Sequence, residues 1–489
     1  MKKILLLVTL VSFEAGACYS APAPDGTYVN FEGAQTNPIR LSPDNSRLFV
    51  VNTPDARLSV FDVSQPGSPK LLAEIPVGIE PVSVNARTND EAWVVNEESD
   101  SVSIVSVSRR VVIDTIVAKD EPMDVVFAAS YAFVTCSRSS AVNVYDVSTH
   151  ALVKRIPLFG DNPRAMAVSA DGTKVFVAFA LSGNKTTLVP KGQAPPPPPP
   201  QNPDLPPAPQ VSLIVNADDP DWSGVIHYNM PDKDVAVIDV NLLAAIRYFS
   251  GVGTINLGIA IHPKTEDLYI ANTDARNLIQ FEPNLKGHVV DNRVTRLSVS
   301  DARTFFDLNP GIDYDVLPNP EALANALAQP TALTFDKEGA NLFVAAFGTD
   351  RIGILDPNGN IVGRIEIGPS IGAAVNPVTK RGPRGLALHN PSGVLYVMNR
   401  ISNSISLVNV AARKVVREIP VGSYDPTSTV IRNGRGFLYD AKLSGNGTVS
   451  CASCHVDAEN DHLAWIWAIR PESCRPSAIP MVKPSSFIR

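Results

Sequence analysis

A short apolar strand ending in asparagine recurs along this chain, and its spacing dictates what the chain can become. It reads Leu48-Phe49-Val50-Val51-Asn52, Ala92-Trp93-Val94-Val95-Asn96, Leu268-Tyr269-Ile270-Ala271-Asn272 and Leu395-Tyr396-Val397-Met398-Asn399, with looser copies at 132–136, 175–179 and 342–347. Each follows a strand opened by proline or its equivalent, as in Pro38-Ile39-Arg40-Leu41, Pro81-Val82-Ser83-Val84, Pro122-Met123-Asp124-Val125 and Pro163-Arg164-Ala165-Met166. These prolines stand 43, 41 and 41 residues apart. A third strand often ends in aspartate, as in Val60-Phe61-Asp62-Val63 and Val237-Ile238-Asp239-Val240, and a fourth closes the unit, as in Val415-Val416-Arg417-Glu418-Ile419.

Four short strands in roughly 40–45 residues is the period of a propeller blade. One such sheet cannot bury both faces, but sheets stacked radially bury them against each other. The repeat therefore predicts an all-β, seven-bladed β-propeller over 27–425, with Tyr28-Val29-Asn30-Phe31 as a candidate closing strand. Two interrupted units keep six or eight blades open. The first insert, near 185–231, holds the unbroken run Pro195 to Pro200; it lacks the donors a sheet requires and must loop outward, as a surface excursion returning at Trp222 or as a docking ligand for a partner. The second, near 287–328, contains the helix-like Pro320-Glu321-Ala322-Leu323-Ala324-Asn325-Ala326-Leu327.

The repeat resembles the YVTN family of β-propellers over about 37–421. The resemblance implies the fold and little about function, because propellers serve many functions.

The chain opens with Met1-Lys2-Lys3 and an apolar run over 4–13, too short to cross a bilayer, which reads as an export signal over 1–17. Cleavage after Ala15-Gly16-Ala17 would leave Cys18 first; the same residues read alternatively as a lipoprotein site with Cys18 as lipid anchor. A periplasmic or extracellular location follows. No later segment reaches about 18 uninterrupted apolar residues, so no transmembrane span is expected. A net charge of −7 argues against a broad grip on nucleic acid.

Export makes the cysteines informative. Cys136 lies in an apolar strand and reads as a small buried residue. The last three cysteines lie near the end, where Cys451-Ala452-Ser453-Cys454-His455 is the C-x-x-C-H pattern of covalent haem attachment. Two thiols three residues apart can each add to a vinyl group, and the adjacent imidazole then faces the iron. This predicts one c-type haem held by Cys451 and Cys454 with His455 as axial ligand. A zinc site of Cys451, Cys454, Cys474 and His455 or His462, or a Cys451–Cys454 disulfide, is the rival reading.

The flank Leu438-Tyr439-Asp440-Ala441-Lys442-Leu443-Ser444-Gly445-Asn446-Gly447 resembles the entry to the first haem domain of di-haem cytochrome c peroxidases. That resemblance implies that 438–440 pack under the haem, that 444–447 turn the chain into the haem-bearing helix, and that the relatives reduce peroxide or oxidise a partner protein. Phe437 and Tyr439 read as haem-packing or core aromatics. The chain departs from that family: 34 residues follow His455, and no second C-x-x-C-H exists. Even a one-haem domain needs about 80 residues, so the stretch 426–489 is expected to be a partial, α-helical cytochrome c-like segment whose haem is partly exposed or leans on the propeller. Relatives continue from the tryptophan matching Trp465 as Asp-Leu-Gly-Asp-Pro, whereas this chain reads Ile466-Trp467-Ala468-Ile469-Arg470, the product of a one-base loss in one codon choice for the relatives' residues; a truncation or frameshift after Trp465 is expected. Met481 is the downstream candidate for the sixth iron ligand, with His462 the alternative or a surface histidine.

Three functions remain open at this level: electron transfer with a redox partner protein, a remnant of a peroxidase-like oxidoreductase, or a surface-binding propeller with a vestigial haem stub. His150, His227, His262, His288 and His389 share no position in the repeat and do not suggest an axial metal site.

Overall fold

Within a repeat unit, burial separates the strands. Arg47–Asn52 and Arg57–Asp62 are buried along most of their length, whereas the fourth strand, Lys70–Pro76, is mostly open to solvent. The same gradient recurs at Leu152–Pro157 and Lys414–Pro420, whose residues are largely exposed. Near-continuous apolar runs belong to strands covered on both faces, and mixed runs to a rim.

The computed structural model describes residues 32–196, 209–280, 282–298, 300–369 and 375–466. The export signal, Cys18, the strand expected at 28–31, Cys474 and Met481 lie outside these. Stretches 39–76, 81–117, 122–157, 330–366 and 383–420 each form a four-stranded antiparallel sheet in chain order. The stretch 161–307 forms one larger sheet, two meanders joined where Leu181 pairs with Ile255. The innermost strand of each sheet packs on that of the next, and Pro383–His389 packs on Ile39–Leu41. Ile39, Leu48 and Phe61 share a core with Tyr396, Met398 and Leu407, so the last sheet closes on the first through side-chain packing.

The asparagine that ends the repeated strand is a structural pin. Asn96 and Asn399 are fully buried. Their Nδ2 groups donate to Ser103 Oγ (3.0 Å) and Ser406 Oγ (2.8 Å) on the following strand. Asn272 donates likewise to Thr295 Oγ1 at 2.8 Å. The amide nitrogen is paired in each case; Asn272 Oδ1 accepts from Arg293 Nε, whereas the Oδ1 atoms of Asn96 and Asn399 are buried without a hydrogen-bond partner.

The first insert leaves its sheet on a two-stranded stem, Thr186–Val189 paired with Leu213–Asn216, and the proline run begins beyond it. The second expected insert requires correction. Val290–Leu297 and Arg303–Asp307 are strands of the sheet, and only the chain from 308 onward leaves it, carrying the helix Pro320–Asn325 capped by Asn319. Polar residues disguised these strands: Arg293 and Arg296 lie over the rings of Phe305 and Phe306.

The C-terminal segment is less helical than a cytochrome-like reading implies. Among the described residues it holds one α-helix, Thr429–Tyr439, followed by single 3-10 turns at Ala441–Leu443, Cys451–Ser453 and Val456–Ala458.

Candidate functional site

The segment reaches its place by packing on the ring. Ser428 caps the helix Thr429–Tyr439, accepting from Ile431 N–H at 3.4 Å. Gly436 has no side chain, which lets the helix press on the backbone carbonyl of Pro377, where any Cβ would collide. Tyr439, 1% exposed, meets Phe347 edge to face at 5.2 Å and donates its hydroxyl to Glu32 Oε2 at 3.1 Å. Ala441 N–H then donates to Gly348 O (2.8 Å). Phe437 is exposed. Tyr439 is thus a core aromatic, packed with Phe347 and Ile401 of the ring and with Ala452 between the two cysteines.

The 444–447 loop turns the chain as its composition suggests. Asn446 Oδ1 accepts from the N–H and hydroxyl of Thr448 (3.0 and 2.8 Å), and Gly447 takes a left-handed φ of 77°. Asn292 of the ring holds Thr448 O at 2.9 Å.

The next turn carries the chemistry. Cys451 O accepts from Cys454 N–H (3.3 Å) and His455 N–H (3.0 Å), closing the tight turn. Ala452 and Ser453 face inward, each 2% exposed. Cys451 and His455 face outward and Cys454 is half-buried, with both thiols unpaired. Burial, with Asp461 and Cys451 beside it, pushes the Cys454 thiol up and keeps it protonated. His455 Nδ1 lies 3.2 Å from Glu459 O. A carbonyl only accepts, so Nδ1 donates and the Nε2 lone pair is left free, the arrangement a metal-ligating histidine needs. The donor set thus fits covalent haem attachment: two thiols, one outward and one half-buried, and one oriented imidazole on a single turn.

Two residues later the chain enters the axis of the ring. Asp457 Oδ2 accepts from Arg164 Nη1 at 2.6 Å and Arg384 Nη2 at 2.8 Å, and Arg400 Nη1 stands 3.7 Å from Oδ1. Burial alone would raise this carboxyl, but Arg384, Arg164 and Arg400 outweigh it and hold it at about 2. Nearby, burial pushes Glu97 up to about 7 and Glu80 up to about 8.

The structure brings Cys451, Cys454 and His455 together. His462 is exposed and turned to the ring, its Nδ1 3.1 Å from Asp161 Oδ2. Met481 and Cys474 lie outside the described residues. Among the described residues no three His, Cys, Asp or Glu side chains gather as a metal site. His150, His262, His288 and His389 each have a local partner: Asp114, Gly339 O, Asp291 and Ser392. Sequence reasoning missed Arg164, Arg384, Arg400 and Asp457 as a group. The usable signal was a charged residue directly after the proline of an innermost strand, the position that faces the axis.

A closed ring of radially stacked antiparallel sheets defines the protein as a β-propeller. Among solved structures, hydrazine synthase of Kuenenia stuttgartiensis is similar to it with a TM-score of 0.57 at 19% identity, over 78% of this chain and 98% of that one. A streptogramin B lyase structure aligns with a TM-score of 0.46 at 10% identity, over 76% and 93%. No protein-family model and no curated protein matches the chain. At such identities the likeness is one of fold.

Proposed function

We propose that this is an exported, seven-bladed propeller of the YVTN type that presents one covalent c-type haem for electron transfer with a partner protein. The five separate sheets and the two meanders of 161–307 support the blade count. The observation that carries the functional reading is the turn of Cys451, Cys454 and His455, with Nδ1 anchored on Glu459 O. A haem attached there supplies a one-electron couple. The chain's own residues do the rest. Glu459 O orients the imidazole, and Asp457 fixes the turn to the ring. Outward exposure of Cys451 and His455 places the attachment site where a partner can approach. The peroxidase-like remnant remains the second reading because of the 438–447 flank.

The test is pyridine haemochrome spectroscopy on protein made in an exporting host with haem-maturation machinery. One haem per chain that survives acid–acetone extraction is expected, and Cys451→Ala/Cys454→Ala should lose it while keeping the propeller's circular dichroism. A wild-type protein without covalent haem would end the proposal. Peroxide turnover by the haem-loaded protein would shift the reading to the oxidoreductase remnant.

A further inference from the structure

The three arginines around Asp457 are more than one aspartate needs. All belong to the ring: Arg164 in Asp161–Val168, Arg384 in Pro383–His389, and Arg400 just after Val394–Asn399. Their side chains are 3%, 4% and 7% exposed. Arg400 also pairs with Glu32 (3.0 Å), and Arg164 takes Asn162 Oδ1 (2.9 Å) and faces the exposed Glu459 at 3.7 Å. Among the described residues Arg384 has no other carboxylate within ion-pair distance; its Nε donates to Gln35 O at 2.7 Å.

Asp457 fills this cluster incompletely. Both hydrogen bonds fall on Oδ2, while Oδ1 and the facing Arg400 Nη1 are buried without a hydrogen-bond partner. Leaving such atoms unmet is costly. The backbone is also bent to reach: Asp457 and Ala458 are both left-handed, with φ of 49° and 68°, a conformation unfavourable for alanine. Beside the cluster, a narrow cavity bordered by Arg384 and Asp457 is walled by Ile255, Leu257, Phe347 and Val456. Guanidinium donors next to an apolar slot suit a carboxylate with a short aliphatic tail.

We propose that the axial mouth formed by Arg164, Arg384 and Arg400 is a binding site for short-chain carboxylates, which Asp457 occupies as an internal ligand. The C-terminal segment thereby blocks the ring's axis by self-contact. The inference stands on the ion cluster and is independent of haem.

The test replaces the internal ligand by a free one in the full chain. Asp457→Gly removes one carboxymethyl group and relieves the left-handed backbone, leaving a space that acetate matches atom for atom. Acetate is expected to raise the Tm of this variant saturably by several degrees, with chloride at equal ionic strength ineffective and the wild type unresponsive. Butyrate should act at lower concentration than acetate if its tail enters the slot. Asp457→Gly/Arg384→Gln should lose the response. No acetate-specific rise, an equal rise in the wild type, or a response that survives the Arg384 change would each overturn the proposal. Should the glycine variant not accumulate folded, refolding yield decides: recovery in acetate and not in chloride supports the site, and no recovery refutes it.

Discussion

Lys380→Met should destabilise the propeller by about 3 kcal/mol, and the figure follows from its surroundings. Lys380 Nζ lies 3.1 Å from both Asp350 Oδ1 and Gly348 O and 3.8 Å from Asp440, with the Lys380 and Asp350 side chains at 0% exposure. Removing one partner of a buried ion pair costs about 3–5 kcal/mol because a charge is left uncompensated. Here Asp350 keeps the N–H groups of Gly382 (2.8 Å) and Arg381 (3.1 Å) and Lys442 at 3.6 Å, which places the loss at the lower end. Burial raises the Asp350 carboxyl, but Lys380, Lys442 and the two N–H groups more than offset it and leave it below its ordinary value. Its stabilisation is therefore present above about pH 4 and lost as pH falls through the depressed value. Denaturant unfolding at unchanged m-value measures the loss. Asp350→Asn combined with Lys380→Met should cost less than the two single changes together, a coupling of about 1–3 kcal/mol. A single-variant loss under 1 kcal/mol, or strict additivity, would refute the reasoning.

Three further outcomes are expected. Burial holds the Glu97 carboxyl at about 7; between pH 4.5 and 7 the folded chain keeps a proton that the unfolded chain releases, so stability falls as pH rises through that window. Glu97→Gln should flatten the Tm–pH profile and gain at most about 3 kcal/mol at pH 8. Gly436→Ala adds a methyl against Pro377 O; despite a helix-propensity gain of about 1 kcal/mol, it should cost about 1–3 kcal/mol and speed limited proteolysis within 426–450. Asn399→Ala removes the amide donor to Ser406 Oγ, while Ser404 keeps Ser402 and Glu418, and should lower stability by about 1–3 kcal/mol in calorimetry.

What was legible in the sequence was local. The apolar runs ending in Asn52, Asn96, Asn272 and Asn399 show through because burial on both faces leaves little choice of residue. The attachment motif shows because five consecutive residues carry it. Val290–Leu297 did not show, since Arg293 and Arg296 are partnered by rings supplied from the adjacent strand. The axial cluster was invisible for another reason: Arg164 and Arg384 come from sheets 220 residues apart and acquire a common purpose only when the ring closes. Tyr439 was legible as an aromatic that would be buried, but a linear motif does not state which neighbours its ring will face. Those neighbours, Phe347 and Arg400, directly follow two different strands of the ring.

The division of faces on the Cys451–His455 turn suits the role proposed for it. The described residues of this segment, 426–466, bury apolar side chains in clusters shared with the ring. Its inward residues are covered by propeller residues: Val456 by Ala180, Ile255 and Leu257, and Tyr439 and Ala452 by Phe347 and Ile401. Asp457 then ties the turn to three separate points of the ring mouth. The ring thus supplies the rigidity that a free-standing domain draws from its own core, and the outward face is left to chemistry. Because the tie is ionic and lies two residues from His455, a ligand that displaced Asp457 would loosen the turn carrying the imidazole.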